Sequence, residues 1–236
     1  MSRWAESALS WWEEAGVDTI VGEQPRDWLA SPKPATAKAA EPLEAALPAP
    51  AEALPEDLQA FQAWLATTDA IPFASASTPR VAPAGDPAAG LMAITDVPAA
   101  EDSAAGILFS GETGALVDRM FAAIGRSRET LYLAPFSPIR PPAGRIDKAG
   151  VDVLTRVMRH HIGLVSPRAL LIFGDACARA LLGINMTQAR GRWHEVETPA
   201  GPVRALVTLR PQELLTRSIK ALAWADLQML REGLEP

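Results

Sequence analysis

Apolar residues along the chain fall into two kinds of run. Short continuous runs alternate with longer stretches in which apolar positions recur every three or four residues. Leu58, Phe61 and Leu65 mark one face of a helix over 56–67. Leu91 to Ile94 reads as a short strand, and 95–111 as a long glycine- and acid-containing connection. Leu116, Met120 and Ile124 recur at helical spacing within 113–124, and Thr130 to Ala134 follows as a strand. After the proline-rich loop 135–144, a helix is expected over 150–162. Ala169 to Phe173 is a wholly apolar run, the signature of a strand buried on both faces. A helix over 175–182 and a loop over 191–195 come next.

The last unit is strand, tight loop, helix. Ala205 to Val207 is the strand, and Thr208 to Pro211 breaks it, because proline cannot continue a ladder. A helical pattern runs from Glu213 through Leu214, Ile219, Leu222, Leu227 and Leu230. Four strands alternating with helices predict an α/β, three-layer α/β/α fold with a central, mostly parallel four-stranded sheet. In such sheets ligands bind at the carboxyl ends of strands. Arg210 stands at such an end.

The first 55 residues differ in kind. Residues 3–15 form an amphipathic pattern with Trp4, Ala8, Trp11 and Trp12 near one face and Gly16 as its stop; Trp28 adds a fourth tryptophan. This segment, 1–30, either packs back on its own domain or docks on a protein partner through residues 3–28. Residues 31–55 carry Pro32, Pro34, Pro42, Pro48, Pro50 and Pro55 among alanines and acids, the composition of a disordered linker. The domain proper is expected over 56–236.

Composition narrows the function classes. Of 236 residues, 48% are hydrophobic and 21% charged, as in soluble globular proteins. No apolar run approaches the ~20 residues of a membrane span, and the acidic amino terminus lacks an export-signal layout. The single cysteine, Cys177, rules out an internal disulfide and a set of cysteine metal ligands. A cytoplasmic location is expected. Net charge is −6 but is divided: residues 1–112 hold 5 Lys+Arg against 17 Asp+Glu, and residues 113–236 hold 17 against 11. The second half, at +6, suits a polyanionic partner or is simply a solvated arginine-rich surface. Arg210 cannot serve as a general base, since it stays protonated, but it can donate to an oxyanion or a phosphate. His160 and His161 fall on a helix and His194 in a loop, and no metal-binding spacing includes them.

The stretch His161 to Gly183, followed by Arg190-Gly-Arg-Trp-His194 and by Lys220 to Leu230 with Trp224 and Asp226, resembles the family 4 type of uracil-DNA glycosylase. The likeness extends from about Leu58 to Leu230, and Trp11 to Gly22 is similar to an extension on some bacterial members. It implies a glycosylase-like α/β/α fold and DNA as partner. Members of this family flip uracil out of the stack into a pocket. A phenylalanine stacks on the base, an asparagine reads its edge, a carboxylate positions water, a histidine stabilises the departing anion, and four cysteines hold an iron–sulfur cluster.

The chain departs from that set. Thr95-Asp-Val-Pro-Ala99 stands where the family has Gly-Glu-Ala-Pro-Gly, leaving Asp96 as a shorter carboxylate. Leu108-Phe-Ser-Gly111 keeps Phe109 as a base-stacking ring. Pro135 replaces the asparagine and Arg210 the histidine. Thr68, Ile71, Ile139 and Leu154 replace the cysteines, so the 4Fe–4S cluster is expected to be absent and no other cofactor or metal is implied.

The resulting expectation is a glycosylase-like repair protein with activity lost or altered and DNA binding retained. Asp96 is its candidate catalytic group and Phe109 its base contact. Arg210, Arg217, Lys220, Arg140 and Arg145 are its DNA-backbone contacts. If it is an enzyme, it hydrolyses N-glycosidic bonds of DNA. The alternative is a non-catalytic interaction subunit of replication or repair machinery, resembling the psi subunit of a bacterial clamp loader.

Overall fold

The computed structural model describes residues 53–142, 144–216 and 219–234. The tryptophan-rich segment, all of the proline-rich linker except its last three residues, and Arg217 lie outside the described residues.

The elements run α1 (Leu58–Thr67), β1 (Ala84–Gly85), β2 (Leu91–Thr95), α2 (Ala100–Ala105), α3 (Gly111–Ala122), β3 (Tyr132–Pro135), α4 (Lys148–Val165), β4 (Ala169–Phe173), α5 (Asp175–Leu182), α6 (Met186–Ala189), β5 (His194–Val196), β6 (Val203–Thr208), α7 (Pro211–Thr216) and α8 (Lys220–Leu234). The sheet order is β1-β3-β2-β4-β6-β5. The inner four strands are parallel, as the alternation of strands and helices predicts. The sheet has six strands, not four: β1 and β5 add antiparallel edges.

The apolar runs are continuous because both faces of the sheet are covered. Met92, Ile94, Leu170, Ile172, Ala205 and Val207 point to one side, where they pack with Phe61 and Leu65 of α1 and Leu154, Val157 and Ile162 of α4. Leu91, Ala93, Leu171, Phe173 and Leu206 point to the other, against Val117 and Phe121 of α3 and Leu227 and Leu230 of α8. Alternate residues of each strand therefore belong to different cores.

Three further expectations change. The connection 95–111 contains α2, whose Asp102 is buried and binds both flanks of the turn: Oδ2 accepts the Ala99 N–H at 3.1 Å and Oδ1 the Ser110 N–H at 2.7 Å. The loop over 191–195 gives way to β5, an edge strand with only Val196 buried. The C-terminal helical pattern divides into α7 and α8. At the core of that division, Asp226 of α8 is buried and accepts from Thr208 Oγ1 at 2.7 Å and Arg190 Nε at 2.8 Å, fixing α8 to the end of β6. No helix of the described residues is long and apolar enough to cross a membrane.

Candidate functional site

The carboxyl ends of β2, β4 and β6 bring Asp96, Gly174 and Arg210 together. Asp96 follows β2 and is 8% exposed. Helix α5 begins at Asp175 with Gly174 before it, a residue with no side chain to cap the first turn. Asp96 supplies the missing acceptor from 81 residues away: its Oδ1 takes the Cys177 N–H at 3.0 Å. An orphan amide of the helix start is thereby satisfied by a carboxylate, where the helix dipole also favours negative charge. The second oxygen, Oδ2, faces Nη1 of Arg210 at 3.9 Å.

Arg210 reaches this place across Gly174. That glycine has φ 91° and ψ 173°, and a Cβ there would lie 2.6 Å from Arg210 Cγ and 2.8 Å from Asp96 Oδ2. The guanidinium is also held from its own helix, donating from Nη2 to Glu213 Oε1 at 2.9 Å and from Nε to the same oxygen at 3.2 Å. Asp175 stands near enough to be stabilised electrostatically by Arg210, although the larger cause of its lowered pKa is the Arg179 hydrogen bond. Arg210 is 46% exposed at its side chain, yet carboxylates meet it from two elements.

Burial raises the Asp96 pKa above the ordinary carboxylate value, while hydrogen bonds from Cys177 and the Arg210 charge pull it down. Cys177 is fully buried; burial first, and Asp96 second, push its thiol well above the usual range. It is a packed helical residue, not a nucleophile.

Phe109 lies in the core. It is 2% exposed and meets Phe173 edge-on, with ring centroids 5.6 Å apart. Its backbone is left-handed at φ 54°, and its carbonyl accepts from Arg128 Nη2 at 2.7 Å. A Cβ on Gly114 would come within 2.0 Å of that carbonyl oxygen, so α3 packs directly on it.

The other cations stand apart from one another. Arg140 donates from Nη1 to the Pro98 carbonyl at 3.1 Å, joining the loop after β3 to the Asp96 turn. Arg145 lines one cleft with Asp69, Ile71, Phe73, Asp147 and Gly150. Lys220 lines another, with Leu116, Met120 and Trp224, and the two clefts share no residue. Arg217 lies outside the described residues. His160, His161 and His194 are engaged in bonds to Pro55 O, Tyr132 and Ala189 O.

The four positions set against cluster cysteines do not fit an iron–sulfur cluster. Ile71, Ile139 and Leu154 are buried in one core, and hydrocarbon offers no ligand. Thr68 uses its hydroxyl to accept the Ala70 N–H at 3.0 Å. What sequence reasoning missed is Gly174, which leaves room for Asp96 and Arg210 to meet, and Glu213, which holds Arg210. Gly174 carried a signal, as a glycine directly after a wholly apolar strand; Glu213, three residues after Arg210 on a helix, carried another.

The family model of the uracil DNA glycosylase superfamily matches residues 82–228. The type-4 uracil-DNA glycosylase of Pyrobaculum aerophilum is 22% identical over 185 residues, covering 75% of this chain and 94% of that protein. That of Archaeoglobus fulgidus is 24% identical over 145 residues, covering 56% of this chain and 70% of that protein. With a parallel α/β sheet, a carboxylate after its second strand and a matched span that covers the whole sheet core from β2 to β6, the chain belongs to the uracil-DNA glycosylase superfamily and is similar within it to the type-4 enzymes.

Proposed function

We propose that this chain is a DNA-binding repair protein of the glycosylase fold in which base excision is lost or redirected. One observation carries the reading: one oxygen of Asp96 accepts from the start of α5, and the other faces the Arg210 guanidinium at 3.9 Å. A carboxylate so held is a cap and an ion-pair partner. The arginine charge beside it lowers its basicity toward water and competes with a cationic sugar for it. The buried ring of Phe109 and the absence of an amide side chain at Pro135 support the same reading. The iron–sulfur cluster is replaced by packing of Ile71, Ile139 and Leu154.

DNA contact is assigned to the exposed cations Arg140, Arg145 and Lys220. Arg210 contributes less, because Glu213 and Asp96 already oppose its charge. The test is incubation with a uracil-containing single-stranded oligonucleotide. No free base is expected, together with binding whose logarithm falls with that of salt, about 0.7 per phosphate neutralised. Release of uracil that disappears in Asp96→Ala would overturn the reading and establish an enzyme.

The three-part organisation gives the amino terminus a separate role. Four of the seven tryptophans lie in the first 28 residues, and a proline-rich linker follows. Residues 3–28 are assigned to a protein partner in replication or repair, in the cytoplasm. A pull-down with and without residues 1–30 decides it: retention of every partner by the truncated chain removes this role.

A further inference from the structure

The loop after α1 contains a costly feature that the Asp96 site does not use. Phe73 has a left-handed backbone, φ 64°, and is 42% exposed. A bulky residue at positive φ is strained by about 1–3 kcal/mol, and such strain collects at ligand clamps. The loop shows how the strain is imposed. Ile71 is drawn into the core and Pro72 packs on the first turn of α4, where a Cβ on Gly150 would lie 2.9 Å from Pro72 Cγ. The chain then turns outward at Phe73, whose carbonyl accepts from Thr78 Oγ1 at 3.3 Å. Glycine or asparagine would make the turn at lower cost. An aromatic ring here is neither a core residue nor a turn former.

The ring opens onto a cleft of about 650 Å³, within the range of ligand sites. Arg145 stands in the same cleft and makes no ion pair among the described residues. The two carboxylates present are committed elsewhere: Asp147 caps α4 through the Gly150 N–H at 2.8 Å, and Asp69 pairs with Arg80 at 3.8 Å. Because α4 follows β3, its first turn lies at the carboxyl end of the sheet, the same end as Asp96 and Arg210. Arg140, in the loop between β3 and α4, is tied to the Asp96 turn.

We infer that Phe73 and Arg145 form a stacking site for one base of single-stranded DNA, with the ring under the base and the guanidinium on its phosphate. This rests on the DNA-binding reading above and adds to it a residue that holds bases without identifying them. Stacking on an aromatic face suits any base, and a nearby cation tracks the backbone.

The test uses the full chain and fluorescence anisotropy with two labelled probes: an oligothymidylate and an abasic strand of equal length. Phe73→Ala should weaken oligothymidylate binding about 5- to 150-fold, as loss of one stacked base does, and leave the abasic strand unaffected. Phe73→Trp should keep wild-type affinity. Arg145→Ala should weaken both probes and reduce the salt slope by about one phosphate. If the wild type binds oligothymidylate and Phe73→Ala binds it equally well, or loses both probes equally, the stacking site is overturned while DNA binding stands. If the wild type binds neither strand, both readings fall.

Discussion

Nη1 of Arg210 stands 3.9 Å from Oδ2 of Asp96, while Oδ1 of the same carboxylate accepts the Cys177 N–H at 3.0 Å. Two elements distant in sequence thus favour the charged form of a buried acid, and their balance against burial sets its titration. Burial wins, so the folded-state pKa lies above the unfolded one. Between those two values the folded chain holds more protons than the unfolded chain, and stability falls as pH rises. Asp96→Asn keeps an acceptor for Cys177 and removes the charge. The variant should unfold at higher temperature than wild type at pH 7, and at the same temperature below about pH 4. Arg210→Ala should shift stability the other way at pH 7, by less than about 1 kcal/mol, since the arginine is half exposed. Thermal unfolding across pH measures both; an Asp96→Asn curve parallel to wild type would contradict the argument.

Gly174 lets the two residues meet. Its φ of 91° with ψ 173° is a region open essentially to glycine alone. Gly174→Ala adds both backbone strain and a methyl 2.6 Å from Arg210 Cγ. A loss of about 1–3 kcal/mol is expected from strain alone. The arginine must also leave Asp96. Urea unfolding gives the first effect. The second appears as loss of the difference between Arg210 and Arg210→Ala when each is measured in the Gly174→Ala background.

Much of the frame was legible in the sequence, for a reason the core makes plain. Leu91 to Ile94 and Ala169 to Phe173 are apolar at every position because helices cover both sheet faces, so no alternation confuses the pattern. The edge strand β5 was not legible: His194 and Glu195 are polar, and three residues carry no period. Helix α2 was hidden for another reason. It is alanine-rich, and its stability comes from Asp102 bonding Ala99 and Ser110, contacts that have no hydropathy signature. The site divides in the same way. Arg210 was visible as an odd residue at a strand end. The pairing of Asp96 with the start of α5 was not, because the helix offers only a glycine and its cap comes from 81 residues away.

Leu154 occupies a position where relatives of the type-4 kind are expected to ligate iron, and here it is fully buried beside Ile71 and Ile139. If packing holds this region together, truncating the side chain carries the ordinary penalty of a core cavity. Leu154→Ala should lower stability by about 2–5 kcal/mol, seen as a reduced urea midpoint with unchanged slope. Growth or purification with added iron should not restore it. Recovery of stability with iron would show that a metal, not hydrocarbon, braces these loops.

His161 makes the strongest pH prediction. It is buried on α4, with its ring tilted against Phe61 at a centroid distance of 4.9 Å. Gln62 Nε2 donates to the Tyr132 hydroxyl at 2.7 Å, and that hydroxyl lies 3.0 Å from His161 Nε2. In the tautomer with that nitrogen unprotonated, it accepts the hydroxyl proton. Protonation would set two donors against each other in a dry core. Burial, and then the His160 charge, lower the His161 pKa to about 3. The folded chain therefore binds fewer protons than the unfolded chain between about pH 6.5 and 3, and stability is complete above that window and lost as pH falls through it. The expected slope is about 1.4 kcal/mol per pH unit from this one group. His161→Gln should remove that slope while losing ring packing. Tyr132→Phe should cost about 1–3 kcal/mol by leaving both the Gln62 donor and the His161 acceptor unpaired. Urea unfolding over a pH series, with the His161 ring protons followed by NMR, checks each step. A ring that titrates near pH 6.5 in the folded chain would contradict the assignment of Nε2 as a buried acceptor.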